Sequence, residues 1–161
     1  MAPSPLRHRN LPLLLLQARE ALMAQFRPAL RAHGLTDQQW RIARALAEGP
    51  LEPREIGERC AISSPSLAGV LARMDDMGLV RRETMTEDQR RVRVSLTPKA
   101  KRLVQRIGAQ AEARYRALED AIGAAVMREV YDHLDRLVAH LGRAAVPPDD
   151  AAAPARRRRR S

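Results

Sequence analysis

The chain has 161 residues, with 29 Lys and Arg against 19 Asp and Glu and a formal net charge of +10, a length that suits one domain or one domain with an appendage. The run Leu13–Leu16 stops at Gln17, none of the apolar runs approaches the roughly 18 residues of a membrane span, and Arg19 and Glu20 interrupt any signal-peptide pattern. A single cysteine, Cys60, excludes an internal disulfide framework and a cysteine-rich zinc site, so the expectation is a cytoplasmic protein with no metal and no organic cofactor.

Asn10 is placed to cap a first helix, with Pro12 tolerated in its opening turn. Leu11, Leu15, Ala18, Leu22, Phe26 and Leu30 recur at helical spacing and Gly34 ends the segment; Pro28 inside it predicts a kink or break. Thr36 and Gln39 have capping-box spacing and open a second helix carrying Trp40, Ala43 and Leu46, which Gly49-Pro50 stops. A short third helix has Pro53 near its start and Ile56 and Cys60 facing inward. Ala61, Ile62 and Ser63 link it to a fourth, capped by Ser63 or Ser64, with Pro65 in its first turn. Leu67, Val70, Leu71 and Met74 form the buried stripe of that helix, and Gly78 closes it in left-handed backbone. Two helices joined by so short a turn form a helix-turn-helix.

Val80 to Met85 reads as a strand, and Val92, Val94 and Leu96 alternate with Arg91, Arg93 and Ser95 as a second, half-buried one. The polar connection between them is hairpin-sized, and a hairpin directly after a recognition helix is a wing. Thr97-Pro98 starts a further helix through Leu103, Ile107, Ala111 and Leu118. Beyond a weak point near Gly123 lies an apolar seam of Ile122, Val126, Val130, Leu134, Leu137 and Leu141. These stripes exceed what the winged segment can cover and predict a homodimer, with packing inside one chain as the alternative. From Val146 the chain lacks apolar periodicity and reads as a disordered appendage ending in Arg156–Arg160. The organisation is thus mainly α with a small β-hairpin wing. It comprises an N-terminal helix of a dimerisation lobe (1–34), a winged helix-turn-helix (35–97), C-terminal dimerisation helices (98–145) and an Arg-rich tail (146–161).

The five arginines and two aspartates of that tail leave residues 1–146 with +7 of the total charge, so the folded part is itself basic and favours a polyanion. A solvated face is the alternative. The exposed opening turn of the fourth helix carries Ser63, Ser64 and Ser66, whose hydroxyls and nearby amides suit phosphate oxygens. Ala68 and Gly69 allow close approach, and Arg73 can reach a phosphate or a guanine edge in the major groove. One serine is explained by capping alone. The wing adds Arg81, Arg82, Arg90, Arg91 and Arg93. An arginine at its tip can enter a minor groove, and Asp88 can hold the Arg90 guanidinium at a fixed angle.

Cys60 faces inward, which favours a small buried residue over a redox switch. His8, His33, His133 and His140 show no close metal-ligand pair, and no catalytic triad, glycine-rich phosphate loop or carboxylate pair appears, so a non-enzyme is expected. Trp40 shares its helix with Arg41 and Arg44, while Gln17 and Arg19 lie on the first helix and His8 precedes it. An aromatic face beside cations suits an aromatic carboxylate; spacing alone favours Trp40 as core with surface arginines.

The runs Leu35-Thr36-Asp37-Gln38-Gln39-Trp40-Arg41-Ile42, Ser64-Pro65-Ser66-Leu67-Ala68-Gly69-Val70-Leu71-Ala72-Arg73-Met74, Gly78-Leu79-Val80, Asp88-Gln89-Arg90-Arg91 and Leu96-Thr97 together resemble the MarR family over residues 8 to 142. More narrowly, Leu15-Leu16-Gln17-Ala18-Arg19-Glu20, Phe26-Arg27-Pro28 and Gln39-Trp40-Arg41-Ile42 are similar to the branch regulating homoprotocatechuate degradation. The resemblance implies a homodimeric winged-helix repressor on a pseudo-palindromic double-stranded operator, released by a small hydroxylated aromatic acid. The acid implied is first of the hydroxyphenylacetate or homoprotocatechuate type, second a hydroxynicotinate. It also implies that Ser63 to Arg73, with Pro65, Leu67, Ala68 and Gly69, form the recognition helix. Asp88 and Arg90 are the implied wing pair; Arg82, Arg91 and Arg93 of the wing, and His8, Gln17, Arg19, Trp40, Arg41 and Arg44 for the ligand, are candidates from the residues themselves. Ala68 stands where the family offers a polar residue before the glycine. The rival readings are an effector-independent architectural DNA binder, a helical protein-interaction module and a thiol switch at Cys60.

Overall fold

The computed structural model describes residues 7–84 and 91–143. Among them, in chain order, are α1 (Leu11–Ala32), α2 (Asp37–Ala47), α3 (Pro53–Cys60), α4 (Ser64–Asp76), β1 (Val80–Thr84), β2 (Val92–Leu96), α5 (Pro98–Ile122) and α6 (Ala124–Arg143). The chain divides into two compact units between Arg116 and Ala117, inside α5. The expected Arg-rich tail, the wing tip with Asp88 and Arg90, and Met85 lie outside the described residues.

In the first unit, the Asn10 side chain accepts the Leu13 N–H at 3.0 Å and starts α1. The helix then runs without a break to Ala32, with Pro28 inside it; of the two outcomes expected at Pro28, a kink or a break, this corrects the break. Proline there forfeits one ladder bond close to the helix end, while Leu30 just beyond it is buried and holds the last turn in the core. The apolar stripe of α1 is buried only at that end; Leu11, Leu15 and Leu22 are exposed. The capping box at Thr36 forms as expected: Gln39 N–H donates to Thr36 Oγ1 at 3.2 Å, and Thr36 N–H to Gln39 Oε1 at 2.9 Å.

Ile42, Ala43 and Leu46 of α2, Ile56 and Cys60 of α3, and Leu67, Val70, Leu71 and Met74 of α4 interlock in one core with Val80, Val94, Leu96, Ala100 and Ile107. The helical and strand periods read in the sequence converge on this interior. Helix α4 ends in a Schellman turn: Gly78 at φ +65 lets its N–H reach Asp75 O and the Leu79 N–H reach Met74 O, both at 2.8 Å. This end is tied to the start of α5, because the Thr97 hydroxyl donates to Gly78 O at 2.8 Å and Lys99 Nζ to Met77 O at 2.9 Å.

β1 and β2 pair antiparallel, with Val80 opposite Leu96 and Thr84 opposite Val92. Leu51 adds a bridge on the other edge of β2, exchanging two backbone bonds with Val94 at 3.0 and 2.8 Å. In the second unit, Gly123 at φ +93 separates α5 from α6. Val126, Val130, Leu134, Val138 and Leu141 are exposed along one side of α6.

Candidate nucleic-acid interface and adjoining hollow

Helix α4 presents Ser63, Ser64, Pro65, Ser66, Ala68, Ala72 and Arg73 to solvent and buries the opposite side. Ser63 is the N-cap by backbone geometry, yet its side chain makes no cap bond. Its hydroxyl donates instead to Ser66 Oγ at 3.1 Å. The capping role expected of Ser63 or Ser64 is therefore not seen at the side chain of Ser63, and the hydroxyls and the first amides of a 13-residue helix face outward together. That is the chemistry an anionic oxygen requires. Leu67 is only 4 % exposed. Its place in the interface is corrected: it is a core residue, as its position in the buried stripe demanded.

Gly69 is instructive. Among the described residues a Cβ there would meet only Arg73 Nη1, at 3.7 Å, an ordinary contact with a flexible side chain, so none of them demands a glycine.

A concave groove of about 730 Å³ runs beside this face, lined by Arg54, Glu58, Ile62, Ser63, Ser64, Ala68 and Arg82 among others. Arg82 is thus brought to the opening turn of α4. The pairing register separates the wing cations, since side chains alternate across a strand. Arg82 shares its face with Val80, whereas Arg81 and Arg93 lie on the other with Glu83 and Ser95. On that second face Arg81 pairs with Glu83 at 3.0 Å and donates to Ser95 Oγ at 3.1 Å. Arg91 is engaged by Glu52, through Nε at 3.0 Å and through Nη2.

The residues suggested for a small ligand scatter. Trp40 and Arg44 of α2 line a hollow of about 290 Å³ with Val104, Gly108, Ala111 and Glu112 of α5. Glu112 escaped the sequence reading, because nothing along the chain links it to Trp40. Arg41 does not reach this hollow; its Nη1 donates to Cys60 O at 2.6 Å. Arg19 pairs with Glu20 at 2.5 Å and lies 3.9 Å from Asp37. Gln17 and His8 are exposed and are not among the residues lining the hollow. One turn from Glu112, the Tyr115 ring packs on Phe26 with centroids 5.0 Å apart.

Cys60 is 4 % exposed. Burial pushes its thiol above the ordinary range, partly offset by Arg41 and Arg59, which is opposite to the depressed value of a redox-sensing thiolate. Among the described residues no cluster of His, Cys, Asp and Glu could hold a metal, and no helix is long and apolar enough to cross a membrane.

Residues 33–91 match the family model described as MarR family. The chain is 43% identical over 136 residues to the HTH-type transcriptional regulator FarR of Neisseria gonorrhoeae, covering 84% of this chain and 93% of FarR. It is 42% identical over 133 residues to the homoprotocatechuate degradative operon repressor of Escherichia coli, covering 82% and 90%. Its fold superposes on the crystal structure of NadR in complex with 4-hydroxyphenylacetate with a TM-score of 0.77 and 42% identity, covering 84% and 97%.

Proposed function

The chain belongs to the MarR family of transcriptional regulators, and from that premise we propose that it is a cytoplasmic, homodimeric repressor of an aromatic-catabolic operon, released from DNA by a small hydroxylated aromatic acid. The observation that carries the ligand half is the hollow between α2 and α5, whose volume suits a single-ring molecule. Trp40 is a core residue, 6 % exposed, so in this reading the ring packs against the edge of Trp40 that borders the hollow, the Arg44 guanidinium binds the carboxylate, and Glu112 accepts the phenolic hydrogen. NadR's complex with 4-hydroxyphenylacetate and the homoprotocatechuate repressor among the relatives support this class of acid ahead of hydroxynicotinates.

In this reading, residues 35–97 bind DNA, while 1–34 and 98–145 build the dimer. A second copy covers the exposed leucines of α1 and the apolar side of α6, which a monomer leaves in water. Two α4 helices then enter successive major grooves about 34 Å apart on a pseudo-palindromic site, with Ser63, Ser64, Ser66, Ala68, Gly69 and Arg73 at the duplex and Arg82, Arg90 and Arg93 beside it.

The acid acts by preferring a dimer state whose helix spacing no longer fits; tenfold weaker operator binding requires a preference of about 1.4 kcal/mol. Fluorescence anisotropy on the chain's own promoter, with 4-hydroxyphenylacetate, homoprotocatechuate and hydroxynicotinate in turn, tests it. Release by at least one is expected, and indifference to all three removes the ligand half.

A further inference from the structure

The turn joining α3 to α4 is fixed by three separate features, one of which comes from outside the helix pair. Arg41 of α2 is half-buried, and its Nη1 donates to the carbonyl oxygen of Cys60. That carbonyl lies in the last turn of α3, where carbonyls lack helical partners and carry the negative end of the helix dipole. Ala61 follows at φ +49, the one non-glycine residue with positive φ among those described. The Ile62 N–H then returns to Gly57 O at 3.0 Å, and a Cβ on Gly57 would meet Ile62 O at 3.1 Å. Ser63 and α4 come next, so the direction of α4 follows from where residues 60–62 are held.

The same guanidinium leaves its Nε buried with no hydrogen-bond partner. An unpaired buried donor is destabilising, so stability alone would favour an apolar side chain of similar length at this position. What an apolar side chain cannot do is hold the Cys60 carbonyl.

We propose that Arg41 is a positioning residue for DNA recognition: by holding the end of α3 it sets the α3–α4 turn, and so the angle at which α4 meets the base pairs, without touching DNA itself. This rests on the reading of α4 as the recognition helix. An error of angle degrades base contacts, which need precise geometry, far more than phosphate attraction, which does not.

The test compares the wild-type chain, Arg41→Met and Arg41→Lys on the chain's own promoter fragment and on a random duplex of equal length, by anisotropy over a salt series. Methionine removes the bond and the orphaned Nε together, so the fold is expected to survive. Its preference for promoter over random duplex falls by about tenfold, the scale of one good base contact, while random-duplex affinity and salt slope stay as in the wild type. Lysine keeps a cationic donor for the carbonyl and loses about two- to fourfold, a partial rescue that places the effect in the bond. A preference unchanged in Arg41→Met overturns the proposal, as does an equal loss on both duplexes with a shallower salt slope, which would mark a direct phosphate contact. Should circular dichroism show Arg41→Met unfolded, Arg41→Lys decides alone: the two- to fourfold loss supports the proposal, and wild-type preference overturns it. A wild-type chain with no promoter preference removes the reading of α4 itself, and the proposal with it.

Discussion

Glu52, the residue before α3, holds Arg91 at the root of β2 through the arginine Nε at 3.0 Å and through Nη2. Together with the Leu51–Val94 bridge, this fastens the wing to the segment between α2 and α3. On the proposed reading of the wing, an arginine already directed at a carboxylate contributes less phosphate neutralisation than Arg82 does, although the sequence offers both as DNA contacts. Arg82→Gln is expected to lower the slope of log K against log salt by about 0.9 per protomer. Arg91→Gln is expected to leave the slope unchanged, and Glu52→Gln to weaken promoter binding as Arg91→Gln does. A salt titration of the three variants checks this.

Gly69 separates folding from recognition. Since a Cβ there meets only Arg73 Nη1 at 3.7 Å, Gly69→Ala gains helix propensity and is expected to stabilise the fold by about 0.5–1 kcal/mol. Its promoter affinity is expected to fall, because on the proposed reading of α4 the added methyl stands where the duplex approaches. Thermal unfolding and anisotropy on the same preparation give the two signs.

The hollow predicts a division of labour on α2. Arg44→Gln is expected to raise the Kd for 4-hydroxyphenylacetate by about tenfold or more, through loss of a charge-assisted bond, with promoter affinity in the absence of acid within about twofold. The intrinsic fluorescence of Trp40, the single tryptophan, is expected to change on addition of the acid and gives the Kd.

Cys60 carries a pH signature. Burial raises its thiol pKa in the folded state, so as pH climbs past the ordinary cysteine value of about 8.5 the unfolded chain loses its proton first. Stability is therefore intact below that pH and declines above it. Urea unfolding at pH 7 and pH 10 is expected to show this extra decline in the wild type but not in Cys60→Ala, and the native thiol is expected to resist a disulfide reagent at pH 8.

The helix-turn-helix and hairpin were legible because their signals are local. Thr36 and Gln39 are three residues apart, Gly78 is the residue type that adopts φ +65 without steric cost, and the period of two in Val92, Val94 and Leu96 names the inward side. The candidate site was less legible because it depends on azimuth and on distant partners. Arg41 and Arg44 are neighbours on α2, yet one turns to Cys60 and the other to α5. Ser63 has the right residue type for a cap, and its hydroxyl goes to Ser66 instead. Leu67 lies among exposed serines along the chain but faces the core around the helix. Pro28 signals a kink or break, and the helix continues past it into the turn that buries Leu30.

The joint between α4 and α5 has a mechanical outcome. With the Thr97 hydroxyl on Gly78 and the Lys99 ammonium on Met77, the C-terminal end of α4 is bolted to the first turn of α5. The flank of α5 at Val104, Gly108, Ala111 and Glu112 is one wall of the Trp40 cleft, so on the proposed reading a molecule wedged there would press on the same helix to which α4 is tied.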